Sequence, residues 1–128
     1  MSDKTKIKAF VQGVLGCGCA EEVFSVIEES QQAYKAMPYS RINVGNKLLV
    51  HLYRTHDRHF IAGEMKGLVD AGVIDRDNNG FNRFRLVIAT AQPEEIRDPA
   101  ERAFDAMEKD DRTHLHIVGN RQADFSAE

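Results

Sequence analysis

The sequence predicts a single α/β domain, in which one sheet of four to five mostly parallel strands packs against three helices. Three observations predict this class. Short apolar runs rich in β-branched residues alternate with segments of helical periodicity. The length of 128 residues suits one domain, and 42% hydrophobic with 29% charged residues is a globular composition. Strands that alternate with helices imply crossover connections and therefore parallel neighbours.

Four apolar runs have the length and composition of β-strands. They are residues 7–12, 48–54, 84–90 and 115–118. A fifth, short strand over residues 41–44 precedes Gly45-Asn46, which supplies the glycine that a tight hairpin requires. We expect one domain over residues 1–128, with residues 119–128 as a peripheral tail.

Three segments between these runs have the patterns of helices. In residues 19–33 the apolar side chains fall on one helical face. A threonine or aspartate at 55–57 caps a second helix that ends at Gly72. The third helix begins at Pro99, with Asp98 as its cap and a glutamate three residues after that aspartate.

The composition and the amino terminus predict the compartment and exclude some partners. No apolar run approaches the roughly 20 residues of a membrane helix, and the first residues lack a signal-peptide core. We therefore expect a cytoplasmic protein with no membrane contact. In a reducing compartment, two neighbouring cysteines indicate redox, thiolate or metal chemistry rather than a structural disulfide. The net charge of -3 gives no general attraction to nucleic acid, which we do not expect as a partner.

The chemically most specific feature is Cys17-Gly18-Cys19, at the junction of the first predicted strand and the first predicted helix. The free N–H groups and the dipole of a helix N-terminus stabilise a thiolate. Glycine on either side of Cys17 lets the backbone turn sharply there. A disulfide across one residue requires a tight turn and is strained, hence readily reduced. We therefore predict Cys17 and Cys19 as a catalytic pair in thiol–disulfide exchange or related thiolate chemistry.

A strand, a glycine-rich cysteine loop and a helix, early in a small α/β chain, resemble a thioredoxin-like protein. The resemblance implies a thioredoxin-like fold, with Cys17 as the attacking thiol and Cys19 as the resolving thiol. It also implies a protein or a small-molecule thiol or disulfide as the partner. The chain departs from the family in its Cys-x-Cys spacing and in lacking a proline at the position of the family's cis-proline.

A second hypothesis is a non-catalytic binding or assembly domain. The alternation of polar and apolar residues in the predicted strands indicates a sheet face that is partly open and could pair in a homodimer. If the elements are read as βαββαβ, the alternative fold is a ferredoxin-like α+β sandwich. The open face would then resemble a base-stacking surface, with Phe10 and Tyr53 interleaved among the basic residues Lys6, Lys8, Arg83 and Arg85. No RNA-binding strand motif is present, however.

A third hypothesis is a metal-binding protein. His114 and His116 are two residues apart on a predicted strand, so both side chains leave the same face. Together with Cys17 and Cys19 they are donors that zinc or copper would choose. The sequence predicts no other cofactor, because it contains no phosphate-binding loop and no dinucleotide fingerprint.

Overall fold

The computed structural model describes residues 3–16 and 18–126. These residues form an α/β structure with one five-stranded mixed sheet and three α-helices, so the predicted class is confirmed. The strand order across the sheet is β1-β2-β3-β4-β5. The strands are β1 Ile27–Tyr34, β2 Met37–Val44, β3 Leu48–Arg54, β4 Arg83–Thr90 and β5 Thr113–Gly119. The α-helices are α1 Lys4–Ala9, α2 Arg58–Asn78 and α3 Pro93–Asp105.

The predicted predominance of parallel strands is wrong. β2 pairs antiparallel with both β1 and β3, whereas β3, β4 and β5 are parallel to one another. The reason is the length of the connections, since turns of two or three residues can join only antiparallel neighbours. Within residues 3–16 and 18–126, helical crossovers occur only before and after β4, through α2 and α3. The βαββαβ order of the ferredoxin-like alternative does not occur in the described part of the chain.

The first predicted strand, residues 7–12, is helical. It belongs to α1 and to a π-helical turn, Phe10–Val14, that continues from it. Apolar residues at 7, 10, 11, 14 and 15 follow helical spacing, and Ile7, Phe10 and Val11 are buried. Ala9, which a strand alternation would place inside, is exposed. The helical repeat and the strand alternation overlap here, and burial follows the helical repeat.

The first predicted helix, residues 19–33, is also wrong. A short 3₁₀ helix, Glu21–Ser25, is followed by β1. β1 forms a hairpin with β2 through Lys35 and Ala36, whose φ angles are 46° and 69°. A two-residue turn with positive φ at both positions normally contains Asn-Gly, so its sequence signal is missing here. β1 is an edge strand whose side chains are mostly exposed. Its Glu, Gln and Ala residues are also common in helices, so its composition favours the wrong prediction.

The second and third helices exist with different limits. Of the two predicted caps, Thr55 and Asp57, it is Asp57 that caps α2, since its carboxylate accepts a hydrogen bond of 3.0 Å from the Phe60 N–H. α2 continues past Gly72, because that glycine is buried inside the helix rather than at its end. α3 begins at Pro93, and Pro99 lies within it, so the predicted cap at Asp98 is wrong.

The sheet carries a hydrophobic core on each face. On the face that we call the N-terminal face, residues of α1, the π-helical turn and the 3₁₀ helix pack on the sheet. On the opposite face, which we call the helical face, α2 and α3 pack. β3 contributes to both cores, with Val50 and Leu52 on the N-terminal face and Leu49 and Tyr53 on the helical face. No helix in the described residues has the length and apolar character to cross a membrane.

A buried ion pair fixes the C-terminal part of α2 to the loop before β5. The Arg76 side chain is 2% exposed, and its guanidinium donates to both carboxylate oxygens of Asp110 at 3.1 and 2.6 Å. Asp77 and Thr113 complete its contacts. The hydrogen bond from Arg76 holds the pKa of Asp110 well below its usual range.

We expect Gly72→Ala to destabilise the protein by about 2–3 kcal/mol, the usual range for overpacking a core. A Cβ at Gly72 would lie 2.0 Å from the ring of Phe84, in the buried contact of α2 with β4. Gly63→Ala is the matched control in the same helix, because nothing lies within 4 Å of its Cβ position. The control is expected to stabilise by about 0.5–1 kcal/mol through helix propensity. Urea unfolding of both variants checks this, and equal free energies of unfolding would contradict the packing.

We expect Asp110→Asn to cost about 2 kcal/mol at neutral pH, less than for a fully buried pair because the Asp110 side chain is 37% exposed. Since the folded-state pKa of Asp110 is lowered, its contribution is present above the unfolded value of about 3.9 and is lost as the pH falls below it. Unfolding curves measured from neutral to acid pH should therefore converge for wild type and variant. Asp111→Asn, at the exposed neighbouring position, should show no such convergence.

Candidate functional site

The predicted cysteine pair is only partly within the described residues. Cys17 lies outside them, and the prediction of its role is not tested. Cys19 is half-buried and packs against the core of the N-terminal face. The α-helix that was to begin at Cys19 is absent, because the residues that would extend it pair as β1. The 3₁₀ helix that begins at Glu21 has five residues, so the expected stabilisation of a thiolate by a helix dipole does not apply.

Cys19 instead lines a cleft that carries three cationic side chains, which we call the basic cleft. It lies at the amino ends of β3 and β4 and encloses about 660 Å³. The cations are Lys47, Arg83 and Arg85, and Glu22 is the acidic residue among the described lining. Arginine and lysine beside a cysteine favour its thiolate over its thiol. The structure thus provides cations where the sequence had predicted a helix terminus.

Backbone contacts hold the cysteine segment and the cationic residues together. The Lys47 carbonyl accepts hydrogen bonds from the N–H groups of Asn82 at 2.7 Å and of Arg83 at 3.2 Å, which join the β2–β3 turn to the start of β4. The Gly45 N–H donates to the Val26 carbonyl at 2.8 Å. A Cβ at Gly45 would lie 2.5 Å from the Val23 carbonyl, and its φ is +64°, so only glycine allows this approach.

Arg85 is the most enclosed of the three cations, and its contacts are neutral. Its Nη1 donates to the Leu15 carbonyl at 3.1 Å and contacts His116 Nε2 at 2.7 Å. Because an arginine can only donate, His116 accepts through Nε2 and carries its proton on Nδ1. Burial, with Arg85 and His114 nearby, lowers the pKa of His116 to about 4. His116 is therefore a neutral partner at physiological pH.

The positive charge of the basic cleft is not neutralised by any close ion pair in the described residues. No carboxylate of the described chain lies within 4.0 Å of the cationic atoms of Lys47, Arg83 or Arg85. The Nε of Arg85 is buried and makes no hydrogen bond to the described residues. Burial and the charge of Arg83 lower the pKa of Arg85, yet a guanidinium stays protonated in proteins. Enclosed charges are normally paired, whereas the cations of this cleft have no carboxylate close enough for an ion pair among the described residues.

The predicted metal ligands are only partly brought together. His114 and His116 lie on β5 on the same side as Arg85, next to the basic cleft. Burial and the charges of Arg85 and Arg83 lower the pKa of His114. Within residues 3–16 and 18–126, no three His, Cys, Asp or Glu side chains are placed to hold a metal ion. A metal site that includes Cys17 stays a prediction.

The basic and aromatic residues that suggested a stacking surface do not form one. Phe10 and Tyr53 are buried in the two cores on opposite sides of the sheet. Arg83 and Arg85 instead line the basic cleft, as do Cys19 and Lys47, and the sequence did not lead us to predict Lys47 as a site residue. The signal for Lys47 was available, since the Gly45-Asn46 hairpin places the next residue at the start of β3.

A second concave region, the polar groove, lies near the carboxyl ends of β3 and β4 and has a volume of about 1110 Å³. His56 at its rim contacts Thr90 Oγ1 through Nδ1 at 2.6 Å and Glu95 Oε2 through Nε2 at 3.2 Å. A proton on Nε2 satisfies both contacts, because Nδ1 then accepts from the Thr90 hydroxyl. This is a hydroxyl–imidazole–carboxylate set, but Thr90 is only 2% exposed, so its hydroxyl is far less accessible than that of a typical nucleophile. The set links the β3–α2 loop to β4 and α3.

We expect Arg85→Met to raise the pKa of His116 from about 4 by about 1, because a hydrogen-bond donor and a repelling charge are both removed. Burial is the largest cause and persists, so the value should remain below the usual 6.5 or so. An NMR titration of the histidine ring protons measures it. Arg58→Gln removes the same charge at the start of α2 and should leave His116 unchanged. Equal titration of His116 in wild type and Arg85→Met would contradict the contact.

Comparison of this chain with protein-family models, with curated proteins and with solved structures gives no match. The chemistry of the basic cleft and of the polar groove is therefore the ground on which a function can be assigned.

Proposed function

We propose that this protein carries out thiol–disulfide exchange or related thiolate chemistry with Cys17 and Cys19. One observation carries the proposal: Cys19 lines a cleft with Lys47, Arg83 and Arg85. A thiolate is the nucleophile in exchange reactions, and neighbouring cations favour it. The cations replace the helix dipole as the source of activation.

The proposed reaction keeps the roles that the resemblance to thioredoxin-like proteins implies. The Cys17 thiolate attacks one sulfur of a substrate disulfide, forming a mixed disulfide and releasing the other sulfur as a thiolate. Cys19 then attacks the Cys17 sulfur, which releases the second substrate thiolate and leaves a Cys17–Cys19 disulfide. An external thiol of the cell returns this pair to the reduced state. A ring closed across one residue is strained, which favours that return.

The location of the cleft fits this chemistry better than it fits a structural role for the cysteine. Cys19 is half-buried, and the glycines on either side of Cys17, Gly16 and Gly18, are exposed. Gly16 has a φ of +70° and no atom within 4 Å of its Cβ position. Gly16 and Gly18 therefore border solvent, while Cys19 borders the cleft that carries the cations, as exchange with a substrate disulfide requires.

The reactivity of each sulfur is measured in two single-cysteine variants, Cys17→Ser and Cys19→Ser. Each variant is fully reduced, and its alkylation by iodoacetamide is followed across pH. The cations should make alkylation of the remaining sulfur at about pH 7 several-fold faster than that of an ordinary thiol. Arg83→Gln should slow this reaction by about twofold to fivefold, since one exposed charge contributes up to about 1 kcal/mol. Arg58→Gln is the control with the same charge change at the opposite end of β3.

The exchange step is measured by reduction of insulin disulfides with a thiol as the electron source. Wild type should accelerate it, and either cysteine variant should abolish the acceleration while its circular dichroism stays native. Activation by the cleft would be refuted if the sulfurs were alkylated at the rate of free cysteine and if Arg83→Gln and Arg58→Gln had the same alkylation rate.

A further inference from the structure

The basic cleft presents a charge that the described chain leaves without a counter-charge. Arg85 is enclosed by the N-terminal segment, through the Leu15 carbonyl, and by β5, through His116. Both partners are neutral, and the buried Nε makes no hydrogen bond to the described residues. A guanidinium in such surroundings gains from an anion, because desolvation is offset by a paired opposite charge.

The other charged groups around the cleft do not remove this excess. Lys47 and Arg83 add two positive charges, and Glu22 supplies one negative charge from an exposed side chain. His114 has a lowered pKa through burial and the two arginines, and His116 is neutral. Asp110 is held by Arg76 on the other side of the β5 start. The net charge of the described lining is therefore positive, although the whole chain is acidic.

We propose that the basic cleft recognises an anionic group of the substrate, and that the substrate is a small disulfide bearing carboxylates. This rests on the proposed function for the thiol chemistry, while the anion binding stands by itself. Arginine binds carboxylates through parallel N–H···O contacts. A carboxylate held by Arg83 and Lys47 would place a nearby disulfide against the cysteine loop, since Cys19 lines the same cleft. The cleft volume of about 660 Å³ admits a molecule of this size.

The size and position of the cleft favour a small molecule over a long polyanion. The three cations lie at the start of one strand, β4, and in the β2–β3 turn, within a single concavity. A nucleic acid backbone would need a longer basic track, and the chain has a net charge of -3.

The test uses the Cys17→Ser/Cys19→Ser double variant, in which binding is measured without thiol chemistry. Dithiodipropionate, a disulfide with two carboxylates, is titrated into the labelled protein and followed by amide NMR shifts. Hydroxyethyl disulfide, its uncharged counterpart, is the matched probe. We expect saturable shifts at Lys47 and Arg83 with the first probe and none with the second. Raising the ionic strength from about 0.02 M to about 0.2 M should weaken the binding severalfold.

Variants of the exposed cations test the site while keeping the contacts of Arg85 to the Leu15 carbonyl and to His116. Arg83→Gln and Lys47→Gln should each weaken dithiodipropionate binding by about fivefold. Arg58→Gln should change it less than twofold. Absence of saturable shifts, or equal binding of the uncharged probe, would overturn the anion site. Tighter binding of inorganic phosphate than of dithiodipropionate at the same residues would overturn the carboxylate assignment.

The two proposals fail in different experiments. If the double variant binds dithiodipropionate but the native cysteines alkylate like free cysteine, the anion site stands and the thiol function fails. If the cysteines react as expected but the double variant binds neither probe, the thiol function stands and the substrate class is wrong.

Discussion

Burial of β3 on both faces is the constraint that organises this protein. Every residue from Leu48 to Tyr53 is buried, and the strand supplies side chains to both cores. Among the strands of the described residues, it alone has one antiparallel and one parallel neighbour. The antiparallel part of the sheet, β1 to β3, and the parallel part, β3 to β5, therefore meet at β3. The position of β3 sets the register of its neighbour on each side. The basic cleft lies at the amino end of this strand, where the β2–β3 turn meets the start of β4.

The elements that sequence reasoning recovered are those whose burial matches their local pattern. β3 was predicted with the limits it has, since a run buried on both sides is apolar throughout. The cap of α2 at Asp57 was recoverable because its chemistry is local. β1 was not, because an edge strand exposes polar residues and its turn at Lys35-Ala36 lacks glycine. Pairing with the neighbouring strand makes this polar segment a strand rather than a helix, and that pairing cannot be inferred from a single sequence.

The candidate site divides in the same way. The cysteine pair can be recognised in the sequence as a motif. The helix terminus that was predicted to activate it does not exist, because a short 3₁₀ helix and then β1 follow Cys19. Lys47, Arg83 and Arg85 lie far from Cys19 along the chain and meet it through parallel pairing and the β2–β3 turn. Only tertiary structure brings these charges together. The cysteine motif indicates from the sequence where to look for reactivity, whereas the cations around Cys19 are known only from the structure.

The mixed sheet also has a consequence for how the chain folds. β1, β2 and β3 close through turns of two and three residues, so their pairing costs little loop entropy. β4 can join only after the whole of α2 has crossed the helical face. We expect the antiparallel part to form first and to leave the apolar edge of β3 open until β4 arrives. That edge is where a nascent chain is most prone to mispair with another copy.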